Sequence, residues 1–205
     1  MHRISSVLLV LAPAVFASSP LPAQSAQAVS LQLSGLYNVV FGNVFEAVNL
    51  KNGLGGEAQI RYTPGALSIG AGFQYTEHDR PPVFPSDPPS LKARLYGAFI
   101  EPRYRIHTGS NVAAPYLSAR LSLLKVGFSD PDFSLSSDFI QLNGGGGLLY
   151  RLGSRLNLDV GGTFGYNRMG KGTLRSRSAN TAVVVGPYSG TNLMLRLGFA
   201  LGIGG

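Results

Sequence analysis

The sequence predicts an all-β chain: an eight-stranded antiparallel up-and-down transmembrane β-barrel, preceded by a cleaved signal peptide. Three observations carry this. Charged residues make up only 13% of the 205, against about 25% in a typical soluble domain. Beyond the N-terminus no run of about 20 apolar residues supplies a spanning helix. The rest of the chain divides into eight segments in which apolar and polar or small residues alternate, each near the length that spans a bilayer as a tilted strand. In lipid only helices and closed barrels satisfy every backbone polar group, so low charge without a spanning helix points to the barrel.

The chain divides into residues 1–28, read as the signal peptide, and 29–205, read as the barrel. His2 and Arg3 form a positive start, Val7 to Phe16 an apolar stretch containing Pro13, and small residues follow. Ala23-Gln24-Ser25 and Ala26-Gln27-Ala28 both fit a cleavage site. Cysteine is absent. This excludes lipoprotein processing, disulfides, thiolate metal sites and a cysteine nucleophile.

Successive side chains of a strand point to opposite faces. The segments are 29–40, 54–63, 66–75, 92–106, 114–127, 138–151, 156–167 and 191–203. In the second, Leu54, Ala58, Ile60 and Tyr62 share the lipid face, while Glu57, Gln59, Arg61 and Thr63 share the lumen face. The fourth turns Glu101, Arg103 and Arg105 inward, the fifth Tyr116, Ser118, Arg120 and Ser122. The seventh turns Asp159 inward and the eighth Arg196. The glycines at 144–147 lie mid-strand with no following Lys-Ser/Thr, so they read as packing space or curvature and not as a phosphate loop.

Short links, at Pro64-Gly65, His107 to Asn111 and Gly153-Ser154, alternate with longer ones at 41–53, 76–91, 128–137 and 168–190. Short periplasmic turns and long extracellular loops are the rule for such barrels, which places both termini on the periplasmic side. Tyr37, Phe41, Tyr62, Tyr75, Tyr104, Tyr150 and Tyr166 lie near segment ends, as an interfacial aromatic belt requires.

An eight-stranded barrel is just wide enough to be filled by side chains. Glu57, Arg61, Glu101, Arg103, Arg105, Arg120, Asp159 and Arg196 are therefore expected to pair as a lumen ion-pair network, because an unpaired buried charge is costly. A narrow anion-leaning channel is the alternative. The last long loop carries Arg168, Lys171, Arg175 and Arg177 without an acid, a possible lipopolysaccharide contact. No catalytic set is read. His78, beside Glu77 and Asp79, reads as a residue of a solvated, proline-rich loop, and His107 falls in a periplasmic turn. No metal site and no cofactor are expected. The net charge of +7 comes without a compact basic run, so nucleic acid is excluded.

The stretch Tyr96-Gly-Ala-Phe-Ile-Glu-Pro-Arg-Tyr104, with the strand pattern and loop alternation around it, resembles the outer-membrane β-barrel domain family that includes the OmpA transmembrane domain and OmpX. The resemblance covers all of 29–205. It implies a bacterial outer-membrane location and a non-enzymatic structural or surface-interaction role. The implied partners are outer-membrane lipid, lipopolysaccharide and, during biogenesis, the assembly machinery, with the barrel a monomer. A lipid-modifying enzyme and a soluble ligand-binding barrel are the further alternatives. The chain departs from the family in ending on Gly205, where such barrels commonly end in an aromatic residue.

Overall fold

The computed structural model describes residues 28–42, 50–81, 91–129, 133–176 and 180–203. The signal-peptide reading of 1–28 thus lies outside the described residues except for Ala28. The strands are β1 (Val29–Phe41), β2 (Gly53–Tyr62), β3 (Leu67–Arg80), β4 (Leu91–Arg105), β5 (Ala113–Ser129), β6 (Phe133–Arg151), β7 (Leu156–Met169), β8 (Gly172–Ser176), β9 (Thr181–Val185) and β10 (Tyr188–Ile203).

Eight of these close into an antiparallel barrel. β1 to β7 pair in sequence, β7 pairs β10, and β10 returns to β1 from Val29↔Ile203 to Phe41↔Thr191. Closure gives every wall strand two neighbours, so no edge faces lipid.

Alternation places the side chains. Leu33, Ile60, Phe73, Ile100, Leu121, Leu142, Phe164 and Leu197 stand exposed on the outer wall. Their strand neighbours Gln32, Arg61, Gln74, Glu101, Arg120, Gln141, Thr163 and Arg196 are buried inside. Two aromatic levels bound the apolar band. Tyr62, Tyr104 and Tyr150 lie at the periplasmic end, and Tyr37, Tyr75, Tyr96 and Tyr166 toward the other. From Tyr96 to Tyr104 the strand runs about 27 Å, which at the usual tilt suits the height of a lipid-facing band.

The structure changes three expectations, all at the extracellular end. The link at 128–137 is mostly strand, because β5 and β6 extend until only 130–132 separate them. The link at 76–91 loses Thr76 to Arg80 to β3, whose ladder with β4 continues to Arg80↔Leu91. The link at 168–190 contains the hairpin β8–β9, which joins the extended end of β6 through Ser134↔Arg175 and its neighbours. β5, β6, β8 and β9 thus form a small sheet above the barrel.

The interior is also less uniform than expected. Its periplasmic end holds Ala114, Tyr116 and Leu149. Charged and amide side chains fill the middle. The extracellular third is apolar: Leu50, Leu95, Leu124, Val126, Leu135, Phe139 and Met169 cluster there, with Leu174, Val185 and Tyr188 packed on them. Each such side chain contributes about 1.5–3 kcal/mol by leaving water.

The wall yields a prediction. Leu33 stands 56% exposed, opposite Ala58 and Phe199 near the middle of the apolar band. Leu33→Arg is expected to cost about 2–4 kcal/mol of folding free energy in lipid, read from urea titrations in vesicles. A loss near zero would contradict a lipid-facing wall at this position.

Candidate functional site

The lumen charges meet because the strand register sets them at one depth. Glu57 and Arg61 come from β2, Glu101 and Arg103 from β4, Arg120 from β5, Asp159 from β7 and Arg196 from β10. All are nearly inaccessible to water, with Glu101, Arg120 and Asp159 at 0% exposure.

Glu101 is the hub. Its carboxylate accepts from Arg61 at 3.0 Å, Arg196 at 2.9 Å and Arg120 Nε at 2.6 Å, and from Arg103 Nε. Glu57 accepts from Arg120 at 2.6 Å and lies 3.3 Å from Arg196. Asp159 accepts from Arg103 at 2.9 Å and from the Tyr116 hydroxyl at 2.6 Å. That hydroxyl in turn accepts from Arg196 at 2.7 Å. Two guanidiniums also lie over rings, Arg120 over Phe99 at 3.9 Å and Arg103 over Tyr116 at 4.4 Å. The planar fork of arginine suits such shared pairing.

Arg105 is not part of this network. Its guanidinium donates to the carbonyl of Gly65 in the turn between β2 and β3. It lies one inward step nearer the periplasm than Arg103, within reach of a turn carbonyl, and so clips that turn.

Around the charges, amides complete the lumen. Gln59 donates to Gln32 at 2.6 Å, and Arg61 also bonds Ser68 and the carbonyl of Glu101. Asn192 donates to Asn38 at 2.8 Å and accepts from Asn143 and Asn167. The glycines on β6 and β7 make room here. A Cβ on Gly147 would stand 2.4 Å from the Tyr116 hydroxyl, and one on Gly161 2.5 Å.

Two of these features differ in how strongly the sequence signals them. Tyr116 was legible as inward-facing, but nothing local announces that its hydroxyl bridges Asp159 and Arg196. The apolar cap had a signal: paired apolar neighbours such as Leu123-Leu124 and Phe139-Ile140 break the alternation, as they must where both faces are covered.

His78 differs from its sequence reading as a solvated loop residue. It faces into the barrel at 0% exposure, one level above the Tyr75 belt. Nδ1 lies 2.9 Å from the Lys51 carbonyl, which only accepts, so it carries the proton. Nε2 then accepts from the Thr76 hydroxyl at 3.0 Å. Burial holds the imidazole below the ordinary histidine range, against the smaller opposing pulls of the Lys51 carbonyl and of Asp79.

Of the basic loop, Arg168 is exposed at the end of β7, Lys171 follows it, and Arg175 is exposed on β8. Arg177 lies outside the described residues. The described part of the loop is therefore a hairpin, with Arg175 on β8, Arg168 on β7 and Lys171 in the link between them.

The cluster's pairings join five strands across the lumen, so it acts as a cross-brace. Glu101→Gln is expected to cost about 3–5 kcal/mol, since guanidiniums are left buried without a counter-charge. Arg105→Gln should cost about 1.5 kcal/mol, one charged hydrogen bond at the turn. Urea denaturation in micelles measures both, and equal losses would contradict the special place of Glu101.

His78 predicts a pH effect with a defined sign. Freed, the ring titrates near 6.5. Its folded value is lower, so its contribution is full above that pH and is lost as pH falls toward the folded value. The Lys51 amide, which donates to the Asp79 carbonyl at 2.8 Å, reports on the rim. Its hydrogen-exchange protection, corrected for intrinsic rate, should fall between pH 7.5 and 5, and His78→Gln should abolish the difference. An unchanged pH dependence in the variant would rule His78 out.

No protein-family model matches the sequence, and neither does any curated protein. Solved structures do match. Neisserial surface protein A aligns at 21% identity over 86% of this chain and 97% of its own, with a TM-score of 0.56. OprG of Pseudomonas aeruginosa aligns at 12% identity over 89% and 98%, at 0.54. A major outer membrane protein of Thermus thermophilus aligns at 17% over 85% and 99%, at 0.52. The chain has the fold of the eight-stranded outer-membrane β-barrels.

Proposed function

We propose that the protein is a non-conducting, non-enzymatic barrel of the bacterial outer membrane, reached after export by its N-terminal signal peptide. Its role is structural and surface-interacting: it holds an extracellular sheet, β5–β6–β8–β9, on a rigid closed base.

The observation that carries this is the dryness of the lumen at successive levels. A water-filled channel leaves its lining side chains wet. Here Arg120, Glu101, Gln141, Asn167, Asn192 and Met169 are each 0% exposed. The apolar cap then closes the extracellular end above the charges. A narrow anion-leaning channel would need both the cap and the Glu101 cluster to part.

On the outside, Arg168, Lys171 and Arg175 form a cationic face that suits the phosphates of lipopolysaccharide. No acidic residue follows Asp159 in the sequence.

Planar-bilayer recording of the purified protein tests the reading. Membranes are expected to stay electrically silent at protein levels where a porin gives steps. Reproducible unitary openings that disappear when Phe139 is replaced by a bulkier residue would establish a channel and sink the proposal.

A further inference from the structure

The rim of the barrel is uneven. β2 begins at Gly53, whereas β1 continues to Phe41 and β3 to Arg80. Residues 50–52 occupy the notch above β2. Leu50 is buried in the apolar cap, and the Lys51 amide is tied to Asp79. On the outer side this leaves a hollow of about 550 Å³ lined by Tyr37, Lys51, Asn52 and Leu54, with Glu77, Asp79 and Lys92 along one margin.

A second hollow, of about 340 Å³, adjoins it on the lipid-facing wall. Gly35, Leu54, Leu195 and Leu197 line it, again with Tyr37. Tyr37 and Leu54 line both, so the two hollows adjoin, the first bordered by charged side chains and the second mainly apolar. Gly35 opens the lower part: it lies opposite Gly56 and Leu197, where neighbouring outward positions carry Leu33 and Tyr37.

The polar part has two hydrogen-bond donors to give. Asp79 is matched by Lys92 at 2.5 Å, and Glu77 by Arg94 at 3.9 Å. Lys51 has no carboxylate at ion-pair distance among the described residues. The Tyr37 hydroxyl accepts from Asn52 Nδ2 at 3.2 Å, and Asn52 Oδ1 accepts from the Val40 amide at 3.3 Å. The ring is thus fixed, with its own hydroxyl proton still to donate. An ammonium and a hydroxyl therefore stand over an apolar groove at the aromatic belt, where lipid heads meet hydrocarbon.

We propose that this depression binds one phosphorylated lipid, its phosphate on Lys51 and the Tyr37 hydroxyl and one acyl chain along the Gly35 groove. The phosphate takes charge-assisted hydrogen bonds that water would otherwise supply. The site lies on the outer wall of β10, β1 and β2, with the β3 and β4 rim charges on its margin, and holds whether or not the lumen conducts. A glycerophospholipid and lipid A share this chemistry.

Native mass spectrometry of the whole protein in mild detergent tests it. The probes are phosphatidylethanolamine, lipid A and, as the phosphate-free control, diacylglycerol. One phosphorylated lipid should be retained per barrel, with diacylglycerol about tenfold weaker, as loss of a charged hydrogen bond implies. The phosphorylated probe retained at the lower concentration identifies the source.

Lys51→Glu and Gly35→Leu should each weaken retention about tenfold, and Tyr37→Phe less. At Gly35 the nearest atom to an added Cβ is a backbone oxygen 3.8 Å away, so the leucine fills the groove without disturbing the wall. Lys51 lies outside the ladder, so its variant tests the site even if Gly35→Leu fails to insert. Heat-modifiable mobility on gels shows which variants fold. Equal retention of diacylglycerol, or unchanged retention in folded Lys51→Glu, would overturn the proposal.

Discussion

A carboxylate in a dry lumen dominates the architecture. Glu101 is fully buried, and an ion placed alone there would cost several kcal/mol. It is tolerable because four guanidiniums reach it, from β2, β4, β5 and β10. Asp159 adds β7 and Glu57 returns to β2, so five of the eight wall strands meet at the axis. Ladder hydrogen bonds join only neighbours around the wall. The cluster joins opposite sides, and so resists flattening of the barrel. It also dictates smaller choices: Gly147 and Gly161 leave the space in which the Tyr116 hydroxyl turns toward Asp159.

Keeping those pairs strong requires keeping water out. Electrostatic attraction grows as the local dielectric falls, and the apolar cap of Phe139, Leu124, Leu135 and Met169 supplies that condition at the extracellular end. The same cap fixes what lies above it. Leu174 on β8, Val185 on β9 and Tyr188 on β10 pack on it from the hairpin and its return strand. The lumen and the extracellular sheet are therefore one construction, with apolar contacts where they join.

Much of this was legible in the sequence because the lipid forces a period of two. Each wall segment matched its strand closely in its membrane part; parity sets Glu57, Arg61, Glu101, Arg103, Arg120, Asp159 and Arg196 opposite the apolar face of their strands, and the low total charge turns that apolar face to lipid. Three things were not legible. Above the lipid both faces of a strand can be polar, so Thr76-Glu77-His78-Asp79 reads as loop, although β4 offers it a full ladder. β8 and β9 are five residues each, too short for alternation to stand out from a turn-rich stretch. Arg105 has the same parity as Arg103, and what separates them is depth, which parity does not encode.

The arrangement of rim charges argues for a directional outer surface. On β3 and β4, Glu77 and Asp79 stand opposite Arg94 and Lys92, and on β5 and β6 Lys125 stands opposite Asp138. Such matched pairs present little net field beyond about 8–10 Å at ordinary salt. On β7 and β8, Arg168 faces Ser189 and Ile140, and Arg175 faces Ser134 and Ala182, none of them acidic. β3 and β7 are four places apart in a ring of eight, hence on opposite sides. Among the described residues, the charges of β3 and β4 are thus matched across their ladder, whereas Arg168 and Arg175 face uncharged residues across theirs.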